Sequence, residues 1–236
     1  MSIRRIRREL SPLKACSVTT SIDPIESEMA RQPAGPISHG HLAYREAKLA
    51  DLVMLPNGQF LHPDAARAFL ELSIRAASDG IYLIPRSAFR SHRFQRDLFL
   101  LVARRDGLSF AETVRQVALP GYSEHHTGFA VDIDRGPFEN REMKFEETRA
   151  YRWLSHNAAS FGFRNSFPRD NVFGVAFEPW HWRWEGSPSA RDRFRAHIAL
   201  DTLMRRNVRA PMPLSAAPAD EVRRILSEHE RRIAEG

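Results

Sequence analysis

Cysteine is almost absent from this chain of 236 residues, which contains only Cys16. A single cysteine excludes an intramolecular disulfide and a cysteine-rich metal site, so any bound metal must be held by histidine and carboxylate side chains. Long apolar runs are absent too, since none approaches the roughly 18 uncharged apolar residues that a membrane span needs. We therefore expect no transmembrane segment.

The N-terminal stretch lacks an apolar segment after its basic residues. Residues 1–14 contain five basic residues and one acidic residue, and polar residues follow them, so the pattern does not predict a secretory signal peptide. The whole chain has a formal net charge of +6 at pH 7. A basic arm can attract an acidic polymer, but a solvated terminus explains the charge more simply, and we expect no nucleic-acid partner.

Composition divides the chain into three parts. Residues 1–40 mix Ser, Thr, Pro and Gly without a regular period and predict an irregular or disordered leader, whereas the folded domain is expected over residues 41–186. A helical C-terminal extension is expected over residues 187–236. Strand patterns interspersed with helical ones predict an α+β fold, in which helices flank a small, mostly antiparallel central sheet and the extension is a helical appendage. A parallel α/β arrangement is the alternative.

Three segments of the expected domain have clear patterns. Helical spacing of apolar residues predicts a helix from Pro63 to Ala77. Strict alternation predicts a strand from Gly128 to Asp134, and an aromatic-rich strand is predicted from Val175 to Trp184. The apolar face of the first strand consists of Phe129, Val131 and Ile133.

A histidine before a strand and an aspartate inside it form the most informative pair. His125 lies on the loop that enters the predicted strand, and Asp132 shares a strand face with Gly128 and Ala130, whose small size leaves open space. The two side chains can therefore share one metal ion. Ordinary loop histidines beside a solvated edge strand would give the same pattern.

The segment Glu178-Pro-Trp-His181 supplies what a catalytic metal centre would still need. Catalytic zinc usually has three protein ligands and keeps a further position for water. His125, Asp132 and His181 make such a set, and Glu178 is then the natural general base. Pro179 favours an extended Glu178 and so fixes its direction. The alternative for Glu178 is an ordinary surface carboxylate.

Three motifs in order are similar to those of a known family. They are Ser87-x-Phe-Arg-Ser-x-x-x-Gln95, Ser123-x-His-x-x-Gly-x-Ala-x-Asp132 and Glu178-x-Trp-His181. Together they resemble the VanY-type D-alanyl-D-alanine carboxypeptidases, which are zinc metallopeptidases of bacterial cell walls. The resemblance covers about residues 41–185 and implies the α+β fold of that family, with Zn²⁺ on the central antiparallel sheet.

The resemblance also implies a role for each matching residue. The zinc ligands would be His125, Asp132 and His181, and Glu178 would be the catalytic base. Arg90 would anchor the substrate or the developing oxyanion, and Ser123 and Gln95 would make further contacts with the substrate. The planar, permanently charged fork of an arginine suits the anchoring task. A surface salt bridge is the alternative for Arg90. His126 is an ambiguous neighbour, but the motif places His125 on the metal.

The function implied by the resemblance is that of a zinc-dependent D,D-carboxypeptidase acting on peptidoglycan stem peptides or their precursors. D,D-dipeptidase, L,D-carboxypeptidase and peptidoglycan endopeptidase activities on the same zinc centre remain open, because loops decide among them. A cell-wall binding module is the alternative outside enzymes, and an intact Glu178 argues against it. The resemblance further implies an extracytoplasmic location, for which no signal peptide is visible, so the localisation stays undecided.

Overall fold

The computed structural model describes residues 23–137, 139–140, 142–205 and 213–235, and helices alternate with short strands along this part of the chain. The α-helices are α1 (Pro24–Ala30), α2 (Pro63–Ser78), α3 (His92–Asp106), α4 (Phe110–Val114), α5 (Arg149–Asn157), α6 (Pro188–Arg193), α7 (Arg195–Arg205) and α8 (Ala219–Glu235). The strands are β1 (Ile37–Ser38), β2 (His41–Leu42), β3 (Val53–Met54), β4 (Phe60–Leu61), β5 (Leu83–Ser87), β6 (Ala130–Arg135), β7 (Phe163–Asn165) and β8 (His181–Trp184). Helices around a small antiparallel sheet confirm the predicted α+β fold.

Four strands form the central sheet in the order β5-β6-β8-β7, and every neighbouring pair is antiparallel. Strand β6 corresponds to the predicted alternating segment, whose apolar face is buried in the core. In the register of the two middle strands, Asp132 lies directly opposite His181. The sheet thus brings together two side chains that are 49 residues apart in sequence.

Helix α2 begins at the predicted residue and joins the core of the sheet. Pro63 occupies the first turn, where a backbone N–H would have no helical partner. The buried residues recur at helical spacing, and the ring of Phe69 meets that of Phe163 on β7 edge-on, with 6.3 Å between ring centroids. The helix itself is therefore confirmed, but the apolar pattern identifies its buried face only in part, because Leu70 and Ile74 are exposed.

Helix α3 follows β5 after a short connection. The hydroxyl of Ser91 accepts a hydrogen bond from the backbone N–H of Phe94 at 3.1 Å and caps the first turn. Gly107 ends the helix with a φ of 63°, a left-handed conformation that glycine adopts without strain. Because β5 ends at Ser87 and the cap at Ser91 starts α3, Arg90 lies on the short connection between them.

Residues 175–180 are not a strand, contrary to the prediction. The backbone N–H of His181 donates to the carbonyl of Glu178 at 3.2 Å and closes a turn with Pro179 at its second position. Proline has no N–H for a strand ladder, so β8 begins only at His181. The aromatic pattern is genuine within β8 itself, because Trp182 and Trp184 are both buried.

Regular secondary structure begins before residue 41, where we predicted the folded domain to start. Helix α1 and strand β1 both lie within residues 1–40, for which an irregular conformation was expected. The hydroxyl of Tyr122 donates to the carbonyl of Gly35 at 3.1 Å, which ties this stretch to the domain. Residues 1–22, including the basic cluster, lie outside the described residues.

The C-terminal extension is helical, as predicted, and its first helices contribute to the main core. Phe194, which follows α6, is fully buried, as are Leu200 and Met204 of α7. They belong to the same apolar cluster as residues of the central sheet. Along the stretches of chain that the structure describes, no helix has the length and apolar character to cross a membrane.

Candidate active site

Three side-chain atoms converge where the middle strands meet the 3₁₀ turn Glu124–Thr127. His125 Nε2 lies 3.1 Å from both Asp132 Oδ1 and His181 Nδ1, and the last two atoms are 3.0 Å apart. All three residues are buried. The structure therefore brings the three predicted ligands together as a candidate metal site, which we call the ligand triangle.

The ligand triangle fits a tetrahedral zinc ion. Ligand atoms about 2.0–2.1 Å from such an ion are roughly 3.3 Å apart, close to the observed 3.0–3.1 Å. His125 Nδ1 donates to the carbonyl of Ala88 at 2.6 Å, and His181 Nε2 donates to Glu124 at 2.8 Å. The opposite nitrogen of each ring can then present its lone pair to a metal. Two imidazoles and a carboxylate are donors that zinc accepts.

The charges around the ligand triangle also favour a cation. Burial lowers the pKa of His125 to about 4, so that ring is neutral, as a ligand must be. Burial opposes charge on His181 as well, but its hydrogen bonds to Asp132 and Glu124 outweigh this effect and raise its pKa to about 10. Burial likewise opposes the charge of Asp132, yet His125 and Arg90 hold its pKa well below the usual range. Asp132 and Glu124 thus stabilise a proton on His181, and a metal ion at Nδ1 would take the place of that proton.

Glu178 lies beside the ligand triangle without being part of it. Its Oε2 is 3.9 Å from His181 Nδ1, and its side chain is 12% exposed. The turn through Pro179 is fixed by Asn165, whose side-chain amide donates to the carbonyls of Glu178 at 2.7 Å and of His181 at 2.9 Å. Burial raises the pKa of Glu178 to about 7, although His181 opposes the shift. A carboxyl group with this pKa can accept and return a proton near neutral pH.

Arg90 reaches the ligand triangle from the β5–α3 connection. Its Nε donates to Ser87 Oγ at 2.9 Å, one terminal nitrogen donates to Gln95 Oε1 at 3.4 Å, and the other donates to the carboxylate of Asp132. Gln95 is buried and also donates to the carbonyl of Ala118 at 2.8 Å. Both ends of the Gln95 amide therefore bind protein groups, and its oxygen helps to hold the guanidinium in place.

An open cavity of about 660 Å³ leads to the ligand triangle. Ser123, Arg90 and Gln95 line it together with Glu178. Ser123 also begins the 3₁₀ turn, because its hydroxyl accepts a hydrogen bond from the backbone N–H of His125 at 3.4 Å. The apolar and aromatic part of the wall consists of Leu98, Val102, Val117, Ala118, Phe167, Ala176, Phe177 and Trp180. Cavities of this size and mixed lining hold ligands as large as a short peptide.

Gly128 has a role that differs from the one expected. Its φ is 72° at the end of the 3₁₀ turn, and a Cβ built there would lie 2.6 Å from a methyl carbon of Leu52. The interpretation that Gly128 leaves open space beside Asp132 is therefore wrong. Glycine is required because the backbone is left-handed and Leu52 packs against it.

His126 braces the turn through both of its ring nitrogens. Its Nδ1 donates to the carbonyl of Arg90 at 2.6 Å, and its Nε2 accepts from the backbone N–H of Gly121 at 3.0 Å. His126 also lies near Glu46 and His92, in a second group of potential metal ligands. Because neither ring nitrogen keeps a free lone pair, this second group is a poor metal site.

Behind the ligand triangle lies a buried acid, Glu124, that was not predicted from the motifs. Glu124 is only 3% exposed, and its carboxylate accepts hydrogen bonds from His181 Nε2 at 2.8 Å and from Ser166 Oγ at 2.5 Å. His197 Nδ1 and Arg183 lie 3.2 Å and 3.7 Å from its other oxygen. The only signal in the sequence was the position of an acid next to His125 within the motif.

Comparison with known proteins agrees with these motifs. A family model described as D-alanyl-D-alanine carboxypeptidase, VanY, matches residues 58–187, which is 130 of 236 residues. The chain is 29% identical over 160 residues to a D-alanyl-D-alanine carboxypeptidase of Enterococcus faecalis, covering 64% of this chain but only 58% of that protein. It is 28% identical over 165 residues to the bifunctional D-Ala-D-Ala dipeptidase and D-Ala-D-Ala carboxypeptidase VanXYC of Enterococcus gallinarum, covering 66% of this chain and 84% of that protein.

Solved structures share the fold. VanYB in complex with D-alanine-D-alanine is 31% identical, and the alignment covers 61% of this chain and 82% of that chain with a TM-score of 0.51. A mutant of the vancomycin resistance D,D-pentapeptidase VanY in complex with Zn(II) is 26% identical, covering 67% and 94% with a TM-score of 0.51. Because the family model matches more than half of the residues, this chain belongs to the VanY family of D-alanyl-D-alanine carboxypeptidases.

Proposed function

We propose that the chain is a zinc-dependent D,D-carboxypeptidase that hydrolyses the terminal D-Ala-D-Ala bond of peptidoglycan stem peptides. One observation carries the proposal: three ligand atoms form a closed triangle, and the carboxylate of Glu178 lies beside it and not within it. Metal binding and proton transfer are thereby assigned to different residues, as in metal-assisted amide hydrolysis. The Zn(II) complex of a VanY mutant and the D-Ala-D-Ala complex of VanYB support this metal and this substrate.

The proposed mechanism divides the work among the residues around the cavity. His125, Asp132 and His181 would hold zinc, which when bound supplies a Lewis acid that polarises a carbonyl group and acidifies water. Glu178 accepts a proton from the attacking water and returns it to the amine of the departing D-alanine. Its pKa of about 7 suits both transfers, because the carboxyl group can carry or release the proton near neutral pH.

Arg90 and Ser123 hold the C-terminal end of the substrate in this mechanism. The guanidinium of Arg90 is already oriented by Ser87 and Gln95 at the cavity wall. It can therefore donate to a carboxylate or to a carbonyl oxygen that gains charge in the transition state. Gln95 would act chiefly by orienting Arg90, in addition to any contact with the substrate.

Replacing Arg90 with lysine is expected to lower kcat/KM by about 10²–10³-fold. Lysine keeps the charge, but it cannot reproduce the three hydrogen bonds that the guanidinium donates to Ser87, Gln95 and Asp132. Zinc content should stay at one ion per chain, because the three ligands are retained. Steady-state kinetics with a pentapeptide, together with metal analysis, measure both quantities, and an unchanged kcat/KM would exclude Arg90 from the proposed role.

The proposed function is tested by comparing three substrates. We expect zinc-loaded protein to release one D-alanine from a stem pentapeptide ending in D-Ala-D-Ala. The kcat/KM for this pentapeptide should be at least about tenfold higher than that for free D-Ala-D-Ala or for the stem tetrapeptide, which lacks the last D-alanine. The open cavity favours this order, because a carboxypeptidase must accommodate the rest of the stem. Faster release from the tetrapeptide would contradict the D,D assignment and indicate an L,D-carboxypeptidase.

D,D-dipeptidase activity is the second candidate. The Enterococcus gallinarum relative combines dipeptidase and carboxypeptidase activity in one protein, and the present chain covers 84% of it. In the same experiment, equal kcat/KM for free D-Ala-D-Ala and for the pentapeptide would favour this bifunctional alternative over a carboxypeptidase alone.

A further inference from the structure

A buried group of charges behind the ligand triangle has no role in the proposed mechanism. At its centre is Glu124, whose carboxylate is almost completely shielded from solvent. One carboxylate oxygen accepts from His181 Nε2 at 2.8 Å and from Ser166 Oγ at 2.5 Å. The other lies 3.2 Å from His197 Nδ1 and 3.7 Å from Arg183, and it accepts a longer hydrogen bond from the hydroxyl of Tyr44 at 3.5 Å. Burying a carboxylate is costly unless it is paired and hydrogen-bonded, so this group holds Glu124 in one orientation.

The proton positions in this group follow from the donors available. An arginine can only donate, so the 2.8 Å contact between Arg183 and His197 Nε2 makes that nitrogen an acceptor. His197 Nδ1 therefore carries the proton and donates it to Glu124. Glu124 in turn accepts the Nε2 proton of His181, which leaves His181 Nδ1 facing the ligand triangle. Arg183 thus donates to His197, and Glu124 is held between two donors, His197 Nδ1 on one oxygen and His181 Nε2 on the other.

His197 comes from a part of the chain that the family model does not match. The match ends at residue 187, whereas His197 lies on helix α7. Its ring is 4% exposed and packs against Phe173, with 4.2 Å between ring centroids. Buried residues on both sides of it, including Leu200, anchor α7 in the main core. The histidine is therefore presented to Glu124 by a fixed helix.

We propose that helix α7 is part of the metal centre, with His197 as a positioning residue that fixes Glu124 and thereby the ring of His181. The inference rests on the proposed metal site, but it needs no particular substrate. Groups that orient a metal-ligating histidine change metal affinity by about 10–100-fold when they are removed. The C-terminal extension would then determine how tightly this chain holds its metal.

The test compares metal binding by variants of helix α7. His197→Phe keeps a ring against Phe173 but removes the donor, and we expect zinc affinity, measured by competition with a chelator, to fall about 10–100-fold. His197→Asn restores a donor near the position of Nδ1 and should bind zinc about tenfold more tightly than His197→Phe. The visible spectrum of bound Co²⁺ should change in His197→Phe, because it depends on ligand geometry.

A matched control separates positioning from stability. Leu200→Ala removes a fully buried side chain from the same helix without removing a hydrogen bond of the group, so its melting temperature should fall while its zinc affinity stays at the wild-type value. Wild-type affinity in His197→Phe, or an equal loss in Leu200→Ala, would overturn the inference. If His197→Phe does not fold, Glu124→Gln tests the contact between Glu124 and His181 instead. Wild-type zinc affinity in Glu124→Gln would equally overturn the inference.

These readouts distinguish failure of the inference from failure of the proposed function. Metal affinity and the Co²⁺ spectrum are measured without substrate. Weaker zinc binding in His197→Phe, with no D-alanine release by the wild-type protein, would retain the role of His197 and reject the activity. Normal D-alanine release by the wild-type protein, with wild-type zinc affinity in His197→Phe, would retain the activity and reject the role of His197.

Discussion

Glu178→Gln is expected to lower kcat for D-alanine release by about 10³–10⁴-fold while zinc stays bound. The carboxylate is 3.9 Å from His181 Nδ1, close enough to act on a water molecule at the centre but outside the ligand triangle. Glutamine has nearly the same shape, but it cannot accept and return a proton. Single-turnover kinetics on a stem pentapeptide, paired with metal analysis of the same sample, measures both parts of this prediction.

Glu112→Gln is the matched control for that experiment. Glu112 lines the same cavity, but its carboxylate accepts hydrogen bonds from the backbone N–H and the hydroxyl of Ser109 at the start of helix α4, outside the ligand triangle. Its replacement should change kcat by less than about threefold, because surface substitutions have small effects. An active Glu178→Gln variant with its metal in place would show that another group is the base.

Asp132→Asn is expected to abolish both metal binding and D-alanine release. The amide keeps the shape of the side chain but removes the charge that faces the two histidines, and it also weakens the bond to Arg90. We expect a loss of zinc affinity greater than about 100-fold, since removing a ligand should exceed the effect of removing a group behind one. Metal content after dialysis and chelator competition provide the measurement.

Asp134→Asn is the control for the effect on the metal. Asp134 lies two residues further along β6, where its carboxylate accepts from the backbone N–H of Arg135 at 2.8 Å, outside the ligand triangle. This variant should retain one zinc ion per chain. Equal metal content in Asp132→Asn and the wild type would mean that the ion is held elsewhere.

The sequence predicted the site best where a potential metal ligand lies within a regular apolar pattern, as Asp132 does in β6. Alternation placed Phe129, Val131 and Ile133 in the core, so Asp132 had to face the other way. Antiparallel pairing of β6 with β8 then set His181 opposite it. Spacing within short motifs was therefore enough to name the three residues of the ligand triangle.

Other features depend on contacts that leave no local pattern. The turn at Pro179 interrupts an aromatic stretch that resembles a longer strand, and only backbone pairing reveals where β8 begins. Glu124 and His197 are far apart in sequence and belong to different parts of the chain. Their pairing depends on how α7 packs against the core, which neither periodicity nor motif spacing records.

The most direct test of a metallopeptidase centre is a zinc titration of metal-free protein, with D-alanine release from a stem pentapeptide measured at each step. We predict that activity rises in proportion to bound zinc and reaches its plateau at one ion per chain, which is the number that the triangle of His125, Asp132 and His181 can hold. Release that is unaffected by metal removal, or that stays absent when one zinc ion is bound, would contradict the account.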